Sequence, residues 1–428
     1  MPTVVFHTLG CRLNQAETAI MANDFKKKGF EVVNDNAVAD LTVVHTCTVT
    51  KQADAKCRQA VRQSIRKNPS TFVAVVGCYA QMAIDTIREI EGVDLIVGNE
   101  HKMQLSNYID SLSKKDIPQV IHTRKISRQE FTIDSIAHDE SHTRVNLKIQ
   151  DGCNFVCSFC IIASARGPAR SRKFDDIINE TNKLVDMGYK EIVLTGVNIG
   201  TYQQNSYNFL DVLAELEKVK GLSRVRISSI EPTTVSEEII DFIADSDKIC
   251  RHLHIPLQSG DDRILESMRR KHNAAFFEGI IEHAVEKIPD IGIGTDVMVG
   301  YPTEDIEAFK NTKKLLANLP VSYFHVFTYS DRKGTGSYHL KPKVDHHIKK
   351  ERNRIMIELG ERKKLAFYDS FLDREVEVLF EVNHNGWWEG FSDNYMRVKV
   401  KNKSNLKNEL KRVRLLEVQG QKILGELV

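Results

Sequence analysis

What the sequence lacks narrows the reading first. No apolar run approaches the roughly 18 residues that a membrane-crossing helix needs. The opening residues, Met1-Pro2-Thr3-Val4-Val5-Phe6-His7, carry no basic leader and no small-residue cleavage site. The expectation is a cytoplasmic protein with no membrane partner. An excess of one charge is also missing, since 60 Lys and Arg against 58 Asp and Glu leave +2. Wholesale electrostatic binding of nucleic acid is thereby excluded, and any RNA contact must be regional. Eight cysteines in such a compartment are ligands or buried thiols rather than bridges. Apolar residues are not scarce: at 41% over 428 residues they suffice for two to four cored domains.

What is there centres on Asp151-Gly152-Cys153-Asn154-Phe155-Val156-Cys157-Ser158-Phe159-Cys160. Three thiols sit in eight residues, after an alternating run, Thr143 to Gln150, that reads as a half-buried strand. Structural zinc wants four closed ligands, and no matching second pair of cysteines occurs in the chain. Three thiolates can hold three irons of a [4Fe-4S] cubane and leave the fourth open; zinc and inert core cysteines are the alternatives. The spacing, with Phe159 before the last thiol, resembles the radical S-adenosylmethionine (SAM) superfamily. That resemblance implies that the open iron chelates SAM and that Phe159 lies near its adenine.

The first third repeats one device. Apolar β runs over Thr3–Leu9, Leu41–His45 and Phe72–Val76 each stop one or two residues before a cysteine: Cys11, Cys47 and Cys78. Strands alternating with helices predict an open parallel α/β sheet, whose ligands bind beyond the carboxyl ends of the strands. The alternative is three buried cysteines; Cys57 and Cys250 join no triplet and read as structural. On the helix pattern from Lys51 to Asn68, Arg58, Arg62 and Arg66 share a face. Such a stripe is either a solvated surface or a phosphate contact. The motifs Thr8-Leu9-Gly10-Cys11-Arg12-Leu13-Asn14-Gln15, His45-Thr46-Cys47-Thr48-Val49-Thr50 and Gly77-Cys78-Tyr79-Ala80-Gln81 resemble those of the methylthiotransferases, which implies a second [4Fe-4S] cluster on Cys11, Cys47 and Cys78.

After Cys160 comes a basic loop with Arg166 and Arg170, candidates for RNA contact, and then about six strand-and-helix units. Six are too few to close a full barrel, so a partial (β/α)6 barrel is expected. Polar clusters end its strands, and the family resemblance implies SAM or substrate contacts at Thr195, Gly196, Glu231 and Gln258. A long basic helix is expected over Lys341–Phe371. Five short alternating strands from Glu375 predict a small antiparallel β-barrel, either a packing appendage or an RNA binder using Trp387, Trp388, Tyr395, Arg397, Lys399 and Lys411. Its place and pattern resemble the TRAM domain of the same family.

The expected division is 1–115 for the N-terminal domain, 116–138 for a linker, 139–371 for the radical SAM domain and 372–428 for the TRAM-like barrel. The implied activity is methylthiolation of an unactivated aromatic C–H. The motif details resemble most the branch that modifies C2 of N6-threonylcarbamoyladenosine in the tRNA anticodon arm. The alternatives are isopentenyladenosine in tRNA, a ribosomal-protein aspartate, and a non-catalytic iron–sulfur RNA-binding protein. The implied partners are tRNA and an electron donor such as flavodoxin or ferredoxin, and the chain is expected to act as a monomer. Four positions depart from the family pattern: His45 for Asn, Ala163 for Pro, Thr303 for Gly and Gly336 for Pro.

Overall fold

The computed structural model describes residues 1–138 and 142–428. Strands β1 (Thr3–Thr8), β2 (Glu31–Val32), β3 (Leu41–Thr46), β4 (Phe72–Gly77), β5 (Leu95–Val97) and β6 (Gln119–Ile121) form one sheet in the order β2-β1-β3-β4-β5-β6. Every pairing is parallel. The central strands are apolar on both faces, as strands covered on two sides must be. Val4, Phe6, Val43 and Val76 pack on Met21 and Phe25 of α1 (Arg12–Lys27), while Val44, Val73 and Val75 pack on Val61 of α2 (Lys51–Lys67). Two short helices, α3 (Cys78–Met82) and α4 (Ile84–Arg88), follow β4. The strand order reverses between β1 and β3, so the ends of β1, β3 and β4 flank a topological switch point. β6 lies inside the stretch read as linker and completes this sheet. The boundary expected at 138/139 touches residues outside those described.

The second unit begins with β7 (Arg144–Lys148), β8 (Gln150–Asp151), α5 (Ile162–Arg166), β9 (Arg170–Ser171), α6 (Phe174–Asp186) and β10 (Glu191–Thr195). A small hairpin, β11 (Gln203–Gln204) with β12 (Tyr207–Asn208), precedes α7 (Phe209–Lys218), β13 (Arg224–Ile227), α8 (Glu237–Asp245) and β14 (His252–His254). Then come α9 (Asp262–Ser267), α10 (Ala274–Lys287), β15 (Gly292–Val299), α11 (Ile306–Asn318) and β16 (Tyr323–Thr328). Two parallel three-stranded sheets, β13-β10-β7 and β14-β15-β16, meet through a bridge between Ser229 and His254. The result is the expected partial barrel of six β/α units. Its outer residues, among them Val145, Leu147, Ile192, Leu194, Val225 and Ile227, form the core with the helices. By strand alternation the inward set is polar: Arg144, Asn146, Lys148, Arg224, Arg226, His252, His254, Asp296 and His325. α1 lies along the β7 edge, and α12 (His346–Asp369) along β16. α12 starts five residues later than expected, where Asp345 caps it by accepting from the His347 N–H.

β17 (Glu375–His384), β18 (Trp387–Ser392), β19 (Arg397–Lys401), β20 (Leu410–Gln419) and β21 (Lys422–Leu427) close a five-stranded barrel in the order β17-β18-β19-β21-β20. It seats on the amino ends of the larger barrel's strands. Arg144 meets Glu381, Arg224 bonds the Glu377 and Phe391 carbonyls, and Arg226 bonds those of Ser392 and Asp393. Gly292 has to be glycine here, because a Cβ would stand 2.1 Å from the Asn394 carbonyl oxygen. The carboxyl ends of the strands, where ligands bind in such barrels, stay on the opposite side.

Candidate active site: two thiol triplets across a seam

The central triplet sits on a loop leaving β8. Gly152 makes the bend at φ +69°, and a Cβ there would lie 2.0 Å from the Pro168 carbonyl oxygen. Ser158 pins the middle of the loop, its N–H donating to Met268 and its hydroxyl to the Ser267 carbonyl. Each thiol receives an N–H: Phe155 to Cys153 at 3.3 Å, Ile162 to Cys160 at 3.4 Å and Arg270 Nη1 to Cys157 at 3.5 Å. Burial pushes all three thiols up, Cys160 to about 12. They stay protonated until a metal displaces the proton.

The other triplet is assembled from three strand ends. Cys11 caps α1 after β1, Cys47 follows β3 and Cys78 opens α3 after β4. Gly10, at φ +106°, lies where a Cβ would meet Cys47 Cβ at 2.8 Å. Asn14 ties two of the loops by donating to the Leu9 and Thr46 carbonyls. Asn99 donates to Cys78 Sγ at 3.6 Å. Burial pushes Cys47 up to about 11. Cys57 packs directly behind it, accepting the Cys47 N–H at 3.4 Å. Cys250 is buried on the larger barrel.

Elements that carry or adjoin the two triplets meet at the seam between the two units. α3, which begins at Cys78, packs on α5, which begins two residues after Cys160. Asn99 also donates to the Ala165 carbonyl at 2.6 Å, joining both sides. Beneath them lies a buried ionic network. Glu17 on α1 takes Lys102 at 2.5 Å, Lys148 at 2.7 Å and Arg166 at 3.0 Å, and Asp151 shares Lys148 at 2.8 Å and Arg166 at 3.0 Å. Burial alone would raise the Glu17 carboxyl, but Arg166, Lys102 and Lys148 hold it well below the usual carboxylate range.

This network corrects two expectations. Arg166, read as an RNA contact, is only 2% exposed and saturated by Glu17, Asp151 and Asn14. Arg170 is bonded to Glu100 and Asp151. Both arginines lock the seam instead. Of the α2 stripe, Arg62 and Arg66 are exposed, whereas Arg58 donates to the Tyr79 hydroxyl at 2.7 Å. On the small barrel Trp388 is buried and Tyr395 turns toward the larger barrel, leaving Trp387 beside Lys399 and Lys401 as the available aromatic.

Of the residues expected near SAM, Phe159 is half-buried against the cluster of Met268, Tyr301 and Tyr329. Thr195 is buried and its hydroxyl donates to the Val193 carbonyl. Gly196 fits under Gln150, where a Cβ would come within 2.9 Å of its amide oxygen. Glu231 pairs with Arg270, the guanidinium that also donates to Cys157. Gln258 adopts φ +72° where the β14–β15 pairing resumes, one residue out of register, through a bridge to Val297 and backbone bonds to Asp296 and Met298. One residue absent from the expected set belongs beside it. Asn198, 2% exposed, has both amide atoms buried without partners and faces Cys153. Its place in the polar run after β10 was the only signal in the sequence.

Residues 147–316 match the Radical SAM superfamily, and residues 3–98 match the Uncharacterized protein family UPF0004. The threonylcarbamoyladenosine tRNA methylthiotransferase MtaB of Bacillus subtilis is 37% identical, over 97% of this chain and 94% of its own. Its Aquifex aeolicus counterpart is 40% identical over 88% and 92%. The tRNA-2-methylthio-N(6)-dimethylallyladenosine synthase of Clostridium tetani is 31% identical over 89% and 85%. Among solved structures, the radical SAM methyltransferase TsrM from Kitasatospora setae shares the fold at a TM-score of 0.59, with 14% identity, over 79% of this chain and 77% of that one. The superfamily implies a [4Fe-4S] cluster and SAM, and a loop offering three thiols, each with an N–H to steady its charge, fits such a cluster. With relatives this similar along nearly its whole length, the chain belongs to the radical SAM methylthiotransferases.

Proposed function

We propose that the protein replaces the C2 hydrogen of N6-threonylcarbamoyladenosine, beside the anticodon of tRNA, with a methylthio group. The names of the two relatives at 37% and 40% identity point to that nucleoside. The observation in the molecule that supports it most is the pair of thiol triplets at the carboxyl ends of two parallel sheets, joined through α3 and α5. In this reading Cys153, Cys157 and Cys160 hold one [4Fe-4S] cluster, and Cys11, Cys47 and Cys78 hold a second. Bound there, the clusters and SAM would supply a 5′-deoxyadenosyl radical together with the sulfur and methyl carbon that acid–base groups cannot provide at a C–H bond. The chain's part is orientation: Phe159, Thr195, Gly196 and Asn198 bound the SAM side of the site, and Arg270 positions Glu231 over Cys157. Gln258 adds its side chain from a bulge at the mouth of the barrel.

Residues 1–115 would carry the second cluster and 139–371 the SAM chemistry, with 116–138 between them. The 372–428 barrel, with Arg62 and Arg66 of α2, would dock the anticodon arm. We read the chain as a monomer reduced by a flavodoxin or ferredoxin. Among the described residues no helix is long and apolar enough to cross a membrane.

The test is anaerobic incubation of the loaded protein with SAM and dithionite. The substrates are tRNA carrying N6-threonylcarbamoyladenosine, tRNA carrying the dimethylallyl nucleoside, and a ribosomal protein. The expected outcome is 5′-deoxyadenosine and a methylthio nucleoside with the first alone, from protein holding about eight irons. Loss of both products from fully loaded protein would support a non-catalytic RNA binder instead.

A further inference from the structure

The interior of the larger barrel holds a cation that the ion pairs leave over. Arg144 meets Glu381 at 2.5 Å, Arg224 meets Glu377 at 3.1 Å and Arg226 meets Glu191 at 2.7 Å. Arg12, reaching in from the first turn of α1, has no carboxylate within 4 Å among the described residues. Its Nη2 donates instead to the Tyr395 hydroxyl at 2.5 Å, with its guanidinium carbon 5.7 Å from that ring. Tyr395 sits 5.1 Å from the Arg226 guanidinium and 4.6 Å, ring to ring, from His252. Asp296, an acid on the inner face, is shared by His254 at 3.0 Å and His325 at 3.2 Å. Burial, Arg226, His254 and Arg12 together push the His252 imidazole well below its ordinary range. An imidazole kept neutral in this way reports positive surroundings, which suit an anion.

Arg12 is also the neighbour in sequence of Cys11, so its Cα lies about 3.8 Å from that of a thiol in the second triplet. In the threonylcarbamoylated nucleoside the carboxylate is attached to N6 through the carbamoyl group and the threonyl α-carbon, and C6, which bears N6, flanks N1 together with C2. Swung off Tyr395, at the amino ends of the strands, toward the seam, the Arg12 guanidinium would share one base with whatever Cys11, Cys47 and Cys78 hold, the thiols' side addressing C2 and the cation the carboxylate. A dimethylallyl group is a hydrocarbon and gives a guanidinium nothing to bind.

We propose that Arg12 is the residue that selects the substrate, exchanging the Tyr395 hydroxyl for the threonyl carboxylate in a two-pronged pair. The inference rests on the nucleoside named under Proposed function. Its test compares wild type, Arg12→Met and Arg12→Lys, each checked for iron content and melting temperature, on the threonylcarbamoylated tRNA and on the same tRNA with that carboxylate methyl-esterified. Both Kd by filter binding and kcat/KM are measured. The wild type should favour the acid by about ten- to a hundredfold, the range for one charge-assisted pair. Arg12→Met should treat acid and ester alike while keeping its iron, and Arg12→Lys, which keeps the charge but not the fork, should recover only part of the preference. An Arg12→Met variant that still discriminates as the wild type does overturns the inference alone. A wild type that ignores threonylcarbamoylated tRNA but modifies the dimethylallyl nucleoside overturns both the nucleoside reading and this one.

Discussion

Thr303 occupies a backbone position that favours glycine. Its φ is +72°, in the left-handed region, where a β-branched side chain crowds its own carbonyl. Its N–H is tied to the Pro342 carbonyl at 2.9 Å, so the turn cannot relax without losing that bond. The side chain is exposed, so burial offers no compensation. Thr303→Gly should therefore raise the urea midpoint, at unchanged slope, by an amount worth about 1 kcal/mol, the strain removed less the entropy glycine adds to the unfolded chain. The same scale shows what a sequence can and cannot disclose. The triplet cysteines were legible because each ends a β run or crowds one short loop, and that is a local pattern. The fate of Arg166 was not, because the carboxylate that claims it, Glu17, is 149 residues away. A basic loop looks the same on paper whether it faces phosphate or a buried acid.

At the scale of elements, the strands were legible wherever Val, Ile and Leu run together, as in Phe72–Gly77 and Glu191–Thr195. Two-residue strands such as Gln150–Asp151 and Arg170–Ser171 show no period, and only the fold pairs them. The stripe on α2 splits for a similar reason. Arg58 lies against the Tyr79 ring, 5.8 Å from its centre and one residue from Cys78, while Arg62 and Arg66 extend into solvent. If the outer part of that helix meets phosphate, Arg62→Ala with Arg66→Ala should weaken tRNA binding. It should also flatten the slope of log K against log salt by roughly 0.9 for each phosphate no longer neutralised. Iron content and melting temperature should not move. Binding measured across 50 to 200 mM salt decides it, and an unchanged slope would reduce the stripe to a solvated face. Arg58→Ala should behave differently, disturbing Tyr79 and with it the loading of the second triplet.

For the molecule as a whole, the buried charges make the N-terminal sheet and the larger barrel one cooperative body, since Glu17 and Lys102 come from the first and Lys148, Asp151 and Arg166 from the second. Removing one partner of such a network leaves a buried charge uncompensated, so neither unit can open alone cheaply. Its response to acid should come in two steps. Burial, then Arg270, pushes His272 down to about 4, and burial with Arg226 pushes His252 well below its ordinary range. Because these folded values lie under the unfolded value of about 6.5, the unfolded chain takes up protons first as the pH falls. Stability contributed by the neutral rings is thus complete above about pH 6.5 and declines below it. The depressed carboxyls of Glu17, Asp151 and Asp296 add their loss only below their unfolded values near 4. Urea midpoints of loaded protein should accordingly fall between pH 7.5 and 5.5, before the depressed carboxylates titrate. His272→Gln, which can keep the bond to the Leu257 carbonyl without carrying a charge, should make that first decline shallower. Equal slopes for wild type and variant over that interval would assign the early acid loss to some other group.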